Sequence, residues 1–204
     1  MTTFDMTKLE VHDVYKLLTG LVVPRPIGWV GSRSPDGVDN LAPFSFFNVV
    51  AASPPTVIFA PTGQPGARKD TLANVKASGE FTLSVVTAEL LDAMNATSVD
   101  APPEISEFVH AGLRPEPAAL VDACYVGEAR AAMECRVTQI IDVGSAPMGS
   151  SVVFGEVAVV HVDDQLLDGT RVDQAALRAV GRHVGGLYSH TDHLVHRDRP
   201  SWSP

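Results

Sequence analysis

The sequence predicts a mainly β protein, a β-barrel with inserted helices built as a single domain over residues 1–204. Three observations carry that expectation. Short apolar runs rich in β-branched residues recur along the chain, bounded by Gly and Pro clusters. Only three or four helix-like stretches interrupt them. No repeat and no linker divides the 204 residues, whose 45% apolar and 19% charged content suits one large core.

Leu21–Ser32 is apolar and strand-like, and Arg33-Ser34-Pro35-Asp36-Gly37 is a turn cluster, so Val38 onward returns as a hairpin. Thr56–Ala60, after Pro54-Pro55, reads as a buried strand. Asp70 caps a short helix, Thr71–Ala77, that stops near Gly79. Glu80–Val86 alternates Phe81, Leu83 and Val85 with Thr82 and Ser84, the pattern of a half-buried strand. Thr87 starts a helix over Ala88–Ala96, and a second covers Glu104–Ala111. Ser98–Pro103 and Arg114–Pro117 are loops. Ala131–Val143 and Ser151–Val162 are strands joined by a turn around Gly144–Gly149. Asp163–Asp168 is a turn, and Asp173–His183 reads as a helix with Leu177 and Val180 inward. The core spans about residues 12–190, followed by a polar tail.

A formal charge of −9 argues against a nucleic-acid partner. Acidity is local: residues 89–128 hold eight acidic side chains against one basic, whereas residues 1–88 are balanced, so an anionic ligand is better received near the amino terminus. No signal peptide and no membrane-length apolar run is visible, which leads to the expectation of a cytoplasmic protein. Cys124 and Cys135 lack metal or redox spacing and read as core residues. His190, His193 and His196 recur every third residue, yet no set of metal ligands is legible around them, and no metal is expected.

Two stretches carry chemistry. Arg68-Lys69 stands just before the helix that opens with Asp70 and Thr71, where free backbone N–H groups and the positive dipole end favour an anion. An ordinary capped helix with solvated basic neighbours has the same residues. Asn40–Asn48, N-L-A-P-F-S-F-F-N, combines amide and hydroxyl donors with Pro43, Phe44, Phe46 and Phe47. That mixture suits the edge and face of a flat heteroaromatic ring, and equally a bent core strand. A ring at one end and a phosphate at the other is the shape of flavin mononucleotide (FMN).

R-P-I-G-W-V-G-S, N-L-A-P-F-S-F-F-N, K-D-T-L-A-N-V, M-E-C-R-V, V-F-G-E-V and V-G-R-H-V-G-G-L-Y, in that order, resemble the flavin reductase-like family of FMN-binding split barrels. The resemblance implies a homodimer with one FMN per subunit at the interface. It places Ser45, Phe46, Phe47 and Asn48 along the ribityl chain and ring, with Asn40 and Pro43 in the same segment. It further puts Trp29 and Ser32 near the cofactor, Lys69, Asp70 and Thr71 near the phosphate, and Arg182, Gly185, Gly186 and Tyr188 closing the pocket. Arg25 adds positive charge beside the ring, or is an exposed hairpin residue.

The activity implied is transfer of hydride from NADH or NADPH to bound FMN, with electrons passing to free flavin or a partner oxygenase; no side-chain acid, base or nucleophile is needed. One departure weakens nicotinamide use. Many two-component flavin reductases carry Gly-Asp-His before the strand that here reads V-F-G-E-V, whereas this chain has Met148-Gly149-Ser150-Ser151, leaving Ser150 or Ser151 as donors there. The alternatives are an electron carrier of the flavoredoxin kind, reduced by a protein, and a split barrel holding deazaflavin F420 or haem.

Overall fold

A computed structural model describes residues 1–62, 70–145, 148–191 and 193–202. Its elements run in chain order as α1 (Val11–Leu21), β1 (Arg25–Pro26), β2 (Gly28–Arg33), β3 (Asp39–Phe44), β4 (Phe47–Ala52) and β5 (Pro55–Phe59). Then come α2 (Asp70–Ser78), β6 (Glu80–Val85), α3 (Leu91–Ala96), α4 (Glu107–His110), β7 (Pro115–Pro117) and β8 (Cys124–Val126). The chain continues with β9 (Ala131–Val143), β10 (Ser150–Val162), β11 (Leu167–Asp168), β12 (Arg171–Val172), α5 (Gln174–Leu177), β13 (Val180–Arg182) and β14 (Tyr188–His190).

Seven strands form one antiparallel sheet in the order β3-β2-β6-β9-β10-β5-β4, so the mainly β expectation is met. Its end strands are consecutive in sequence, joined through Ser45 and Phe46. A second sheet, β1-β13-β14, brings the carboxyl-terminal hairpin back beside the start of the barrel, with Arg25 opposite Arg182.

Strand β2 is buried on both faces, because successive side chains point opposite ways. Trp29 packs with Leu41, Met94, Phe108 and Val180 on one side, and Val30 with Phe59, Val75, Phe81 and Val153 on the other. The same holds for β6, which is central rather than half-buried as its alternation predicted. Thr82 and Ser84 are buried because β8 lies over them: Thr82 donates to the Cys124 carbonyl at 2.7 Å, and Ser84 accepts from Val126 N–H at 3.0 Å. Cys124 and Cys135 are both buried, as expected.

Gly31 stands where a Cβ would collide with the Cys124 carbonyl oxygen and the Thr82 hydroxyl. Backbone is one of the obstacles, so Gly31→Ala is expected to cost roughly 2–3 kcal/mol. Thermal denaturation checks this, and an unchanged midpoint would show that β8 yields freely.

Several local expectations are corrected. Residues 11–21 form α1, which the sequence pattern did not single out. Helix α5 covers only Gln174–Leu177, because Arg178 adopts φ +52° and turns the chain into β13. Arg114–Pro117 is not loop; Pro115–Pro117 pairs with β8. Thr87 makes no capping hydrogen bond, and Ala88–Leu90 is a 3-10 turn leading into α3. Residues His193 and His196 lie in irregular chain, so their spacing by three has no helical face to act on. No helix among the described residues is long and apolar enough to cross a membrane.

Candidate functional site

A cavity of about 600 Å³ opens where α1, β1, the Pro43–Ser45 bend, α3 and the β13–β14 hairpin converge. Ile27, Pro43 and Met94 supply apolar wall, and Tyr15, Ser45, Asn95, Arg182 and Tyr188 supply donors and acceptors. Helix α1 presents His12, Tyr15, Lys16 and Thr19, spaced i, i+3, i+4, i+7, as one face toward the cavity.

Arg25 fastens this wall together. Its side chain is buried at 7% exposure, so it is not the exposed hairpin residue that was one of its two expected readings. Nη1 donates to the carbonyls of Thr19 (2.6 Å) and Val22 (2.9 Å), closing the end of α1. Nη2 donates to the His183 carbonyl at 3.0 Å, and Nε to Ser45 Oγ at 3.3 Å. Burial pulls its guanidinium below the ordinary value, nearby Tyr15 opposes that, and the facing Arg182 adds to it. Arg182 is held over the Tyr188 ring, 4.4 Å from its centroid, and donates to Tyr188 Oη and the Gly185 carbonyl. Gly185 sits at φ +60°, a conformation that favours glycine.

A second cavity of about 300 Å³ shares Pro43 and Ser98 with the first, so the two form one groove. It ends at Asn40, Asp70 and Thr71, beside the first turn of α2, whose leading N–H groups have no partner within the helix. A buried polar chain lies beneath. Thr71 Oγ1 donates to Asn40 Oδ1 (2.8 Å), which also accepts from Ser32 Oγ (3.2 Å), and Asn74 Nδ2 donates to Ser32 Oγ (3.2 Å). Asn40 Nδ2 and Leu41 N–H both donate to Glu107 Oε2 at 2.9 Å. The acidic stretch 89–128 thus has a definite place: Asn95, Ser98, Asp100 and Glu107 wall the groove.

The structure gathers Asn40, Pro43, Ser45, Asp70, Thr71, Arg182, Gly185 and Tyr188 around this groove. Trp29 and Ser32 instead stand behind its wall, both fully buried, and Trp29 Nε1 donates to Thr97 Oγ1 at 2.9 Å. Phe47 packs into the barrel interior against Gly28 and Leu83. Phe46 is exposed and faces Tyr15 at 6.4 Å between ring centres. Asn48 is exposed on β4, and its side chain accepts from Val49 N–H at 2.8 Å. Lys69 lies outside the described residues, as does Arg68. Ser150 and Ser151 do not face the groove: Ser150 Oγ shares a hydrogen bond with Thr62 Oγ1 (3.0 Å), and Ser151 donates to Asp142 (2.5 Å). His12, Tyr15, Lys16 and Thr19 escaped the sequence reading, although their spacing on an amphipathic helix was the available signal.

Comparison with known proteins gives the family and the fold. The chain is similar to nitrilotriacetate monooxygenase component B from Bacillus cereus, at 32% identity and TM-score 0.93, covering 97% of this chain and 98% of that one. It is similar to 2-nitrobenzoate 2-nitroreductase from Pseudomonas fluorescens, at 31% identity and TM-score 0.90, covering 100% of this chain and 98% of that one. An uncharacterized protein of Aquifex aeolicus is 41% identical over 187 residues, 91% of this chain and 93% of that protein. The fold is the split barrel of such proteins. With the Flavin reductase like domain matched over residues 20–181, most of its length, the chain belongs to the flavin reductase-like family.

Proposed function

We propose that the protein binds FMN in the groove and acts as an NAD(P)H-dependent oxidoreductase, handing electrons to free flavin or to a partner oxygenase. One observation carries this reading: a two-part groove with apolar and cationic walls at one end and a helix amino terminus at the other. The residues present fit the cofactor. Pro43 and Ile27 offer surface for a ring face, Ser45 and Tyr188 offer hydroxyls for its rim, and the first turn of α2 offers backbone N–H donors for a phosphate, while the Thr71 hydroxyl is engaged with Asn40 beneath it. When bound, FMN supplies the hydride and electron chemistry. The chain orients it, and the fixed charges of Arg25 and Arg182 favour negative charge gathering beside them. Similarity to a monooxygenase component B supports the partner oxygenase.

A homodimer belongs to this proposal. Val11, Leu18 and Leu21 are exposed apolar residues of α1, and Val49 and Val50 are exposed on β4, an end strand of the sheet. A second copy seated there would cover both. Sedimentation is expected to give twice the chain mass.

The purified protein is expected to be yellow, absorbing near ~450 nm, and NADH or NADPH should bleach it anaerobically. Bound flavin that neither nicotinamide bleaches, but that a reduced ferredoxin does, would select the electron-carrier reading. The Met148–Ser151 stretch and the engagement of Ser150 and Ser151 away from the groove favour that alternative. An intense Soret band, or absorption near ~420 nm, would instead select haem or deazaflavin. FMN is expected to bind at least about tenfold more tightly than riboflavin, since one charge-assisted contact supplies that much. Equal affinity in a fluorescence titration would move the phosphate away from α2.

A further inference from the structure

Among the described residues the two cavities of the groove differ in the charges that line them. His12, Lys16, Arg25, Arg182 and His183 line the larger cavity, and among the described residues no Asp or Glu does. The smaller cavity has Asp70, Asp100 and Glu107 in its lining and, among the described residues, no Lys or Arg. In a chain of formal charge −9, basic residues gathered into one cavity concentrate anions there.

We propose that a collar made by His12, Lys16, Arg182 and His183 receives the anionic group of a second reactant, beside the flavin of the proposed function on which this inference rests. The cavity has the space: about 600 Å³ is twice the neighbouring 300 Å³ and more than a ring system alone fills. Its charges differ in freedom. Arg25 is committed to three carbonyls and Ser45, so its charge is fixed in the wall. Arg182 is steadied by Tyr188 and Gly185, and His183 Nε2 shares a hydrogen bond with Ser189 Oγ at 2.9 Å. Lys16 is the adaptable member. Its ammonium meets Asp13 at 3.2 Å, but both side chains are more than half exposed, and such an i,i+3 pair is weak enough to yield to a better anion. His12 lies one turn before Lys16 on the same helix face.

The chemistry recognised is an oxyanion on a molecule large enough to reach the flavin. Two sources fit: the phosphates of a nicotinamide dinucleotide, and the carboxylate of an aromatic electron acceptor. The holoprotein and its Lys16→Gln, His12→Gln and Lys16→Arg variants are to be compared in steady-state turnover. Varied reactants are NADH, NADPH, and the acceptor pair 2-nitrobenzoate and uncharged nitrobenzene, with inorganic pyrophosphate as inhibitor.

In Lys16→Gln the KM of the anionic reactant is expected to rise about tenfold with kcat within about twofold, and Lys16→Arg to restore it. Pyrophosphate should compete with that reactant. A rise confined to the nicotinamides assigns the collar to the dinucleotide, and a rise for 2-nitrobenzoate but not nitrobenzene assigns it to the acceptor. Unchanged KM values for every reactant, without competition by pyrophosphate, overturn the collar while leaving FMN binding intact. FMN affinity that falls in Lys16→Gln while riboflavin affinity does not would put the cofactor's phosphate in this cavity, overturning both the collar and the groove's orientation. A wild-type protein that binds no flavin would remove the functional reading itself.

Discussion

Arg25→Ala is expected to lose about 3 kcal/mol of stability and to bind FMN at least about tenfold more weakly. The stability loss follows from the carbonyls of Thr19, Val22 and His183, which give up a cationic donor and are only partly reached by water. The binding loss follows from what those carbonyls belong to. The end of α1, the Ser45 bend and the β13–β14 hairpin are three separate walls of the larger cavity, and one guanidinium ties them. Arg25→Lys keeps the charge but has no planar fork to span donors in several directions, so it should recover little of either loss. At this chain length a 3 kcal/mol loss corresponds to a fall of roughly 6–12 °C in thermal midpoint, measured by calorimetry with and without FMN. An alanine variant that melts with the wild type and binds FMN normally would show that α1 is held by its other contacts.

Glu134→Ala should be worse, costing about 3–5 kcal/mol. Glu134 is fully buried on β9, outside the lining of both cavities, and its two oxygens meet two backbone N–H groups and the His161 ring. Ala119 and Leu120 N–H donate to its two oxygens at 2.8 and 2.6 Å, and His161 Nε2 meets Oε1 at 2.7 Å while stacking on Tyr125. Alanine would orphan two backbone donors and free the loop before β8.

The same residue sets an acid limit. Burial alone would push its carboxyl up, but the donors from Ala119, His161 and Leu120 together hold it below the ordinary 4.5. A carboxyl depressed on folding contributes stability that is complete above its unfolded value and disappears as pH falls through its folded value. Stability of the wild type should therefore drop below about pH 4.5, with Glu134→Gln, already weakened at neutral pH, showing a flatter acid limb in urea titrations. Parallel acid limbs in the two proteins would show that Glu134 is not the group responsible.

The helix expected over Asp173–His183 shows where a linear reading fails. Asp173 does cap a helix, donating nothing and accepting from Ala175 and Ala176 N–H, and Leu177 does turn inward. Val180 is buried too, but from a strand, because Val180 N–H pairs with the Val86 carbonyl and pulls the chain into a β-strand. The half-buried expectation for β6 failed for a related reason. Thr82 and Ser84 look like solvent-facing residues until β8 covers them with a carbonyl and an N–H. Of the candidate site, Asn40, Ser45 and Thr71 sit in motifs that could be read directly. His12 and Lys16 sit in a stretch whose polar face has meaning only once it is seen to face a cavity.

Alone, the sequence determined a mainly β fold, the strands β2, β3, β5, β9 and β10, a helix opening at Asp70 and Thr71, and the family to which the chain belongs. Period, turn residues and motif order are properties of neighbours along the chain, and neighbours suffice to encode them. Only the tertiary structure decided that Arg25 locks α1 to a carbonyl 158 residues away, that Trp29 supports the groove from behind, and that basic side chains collect at one end of it. Those facts depend on desolvation and hydrogen bonding between segments that meet only when the barrel closes its core.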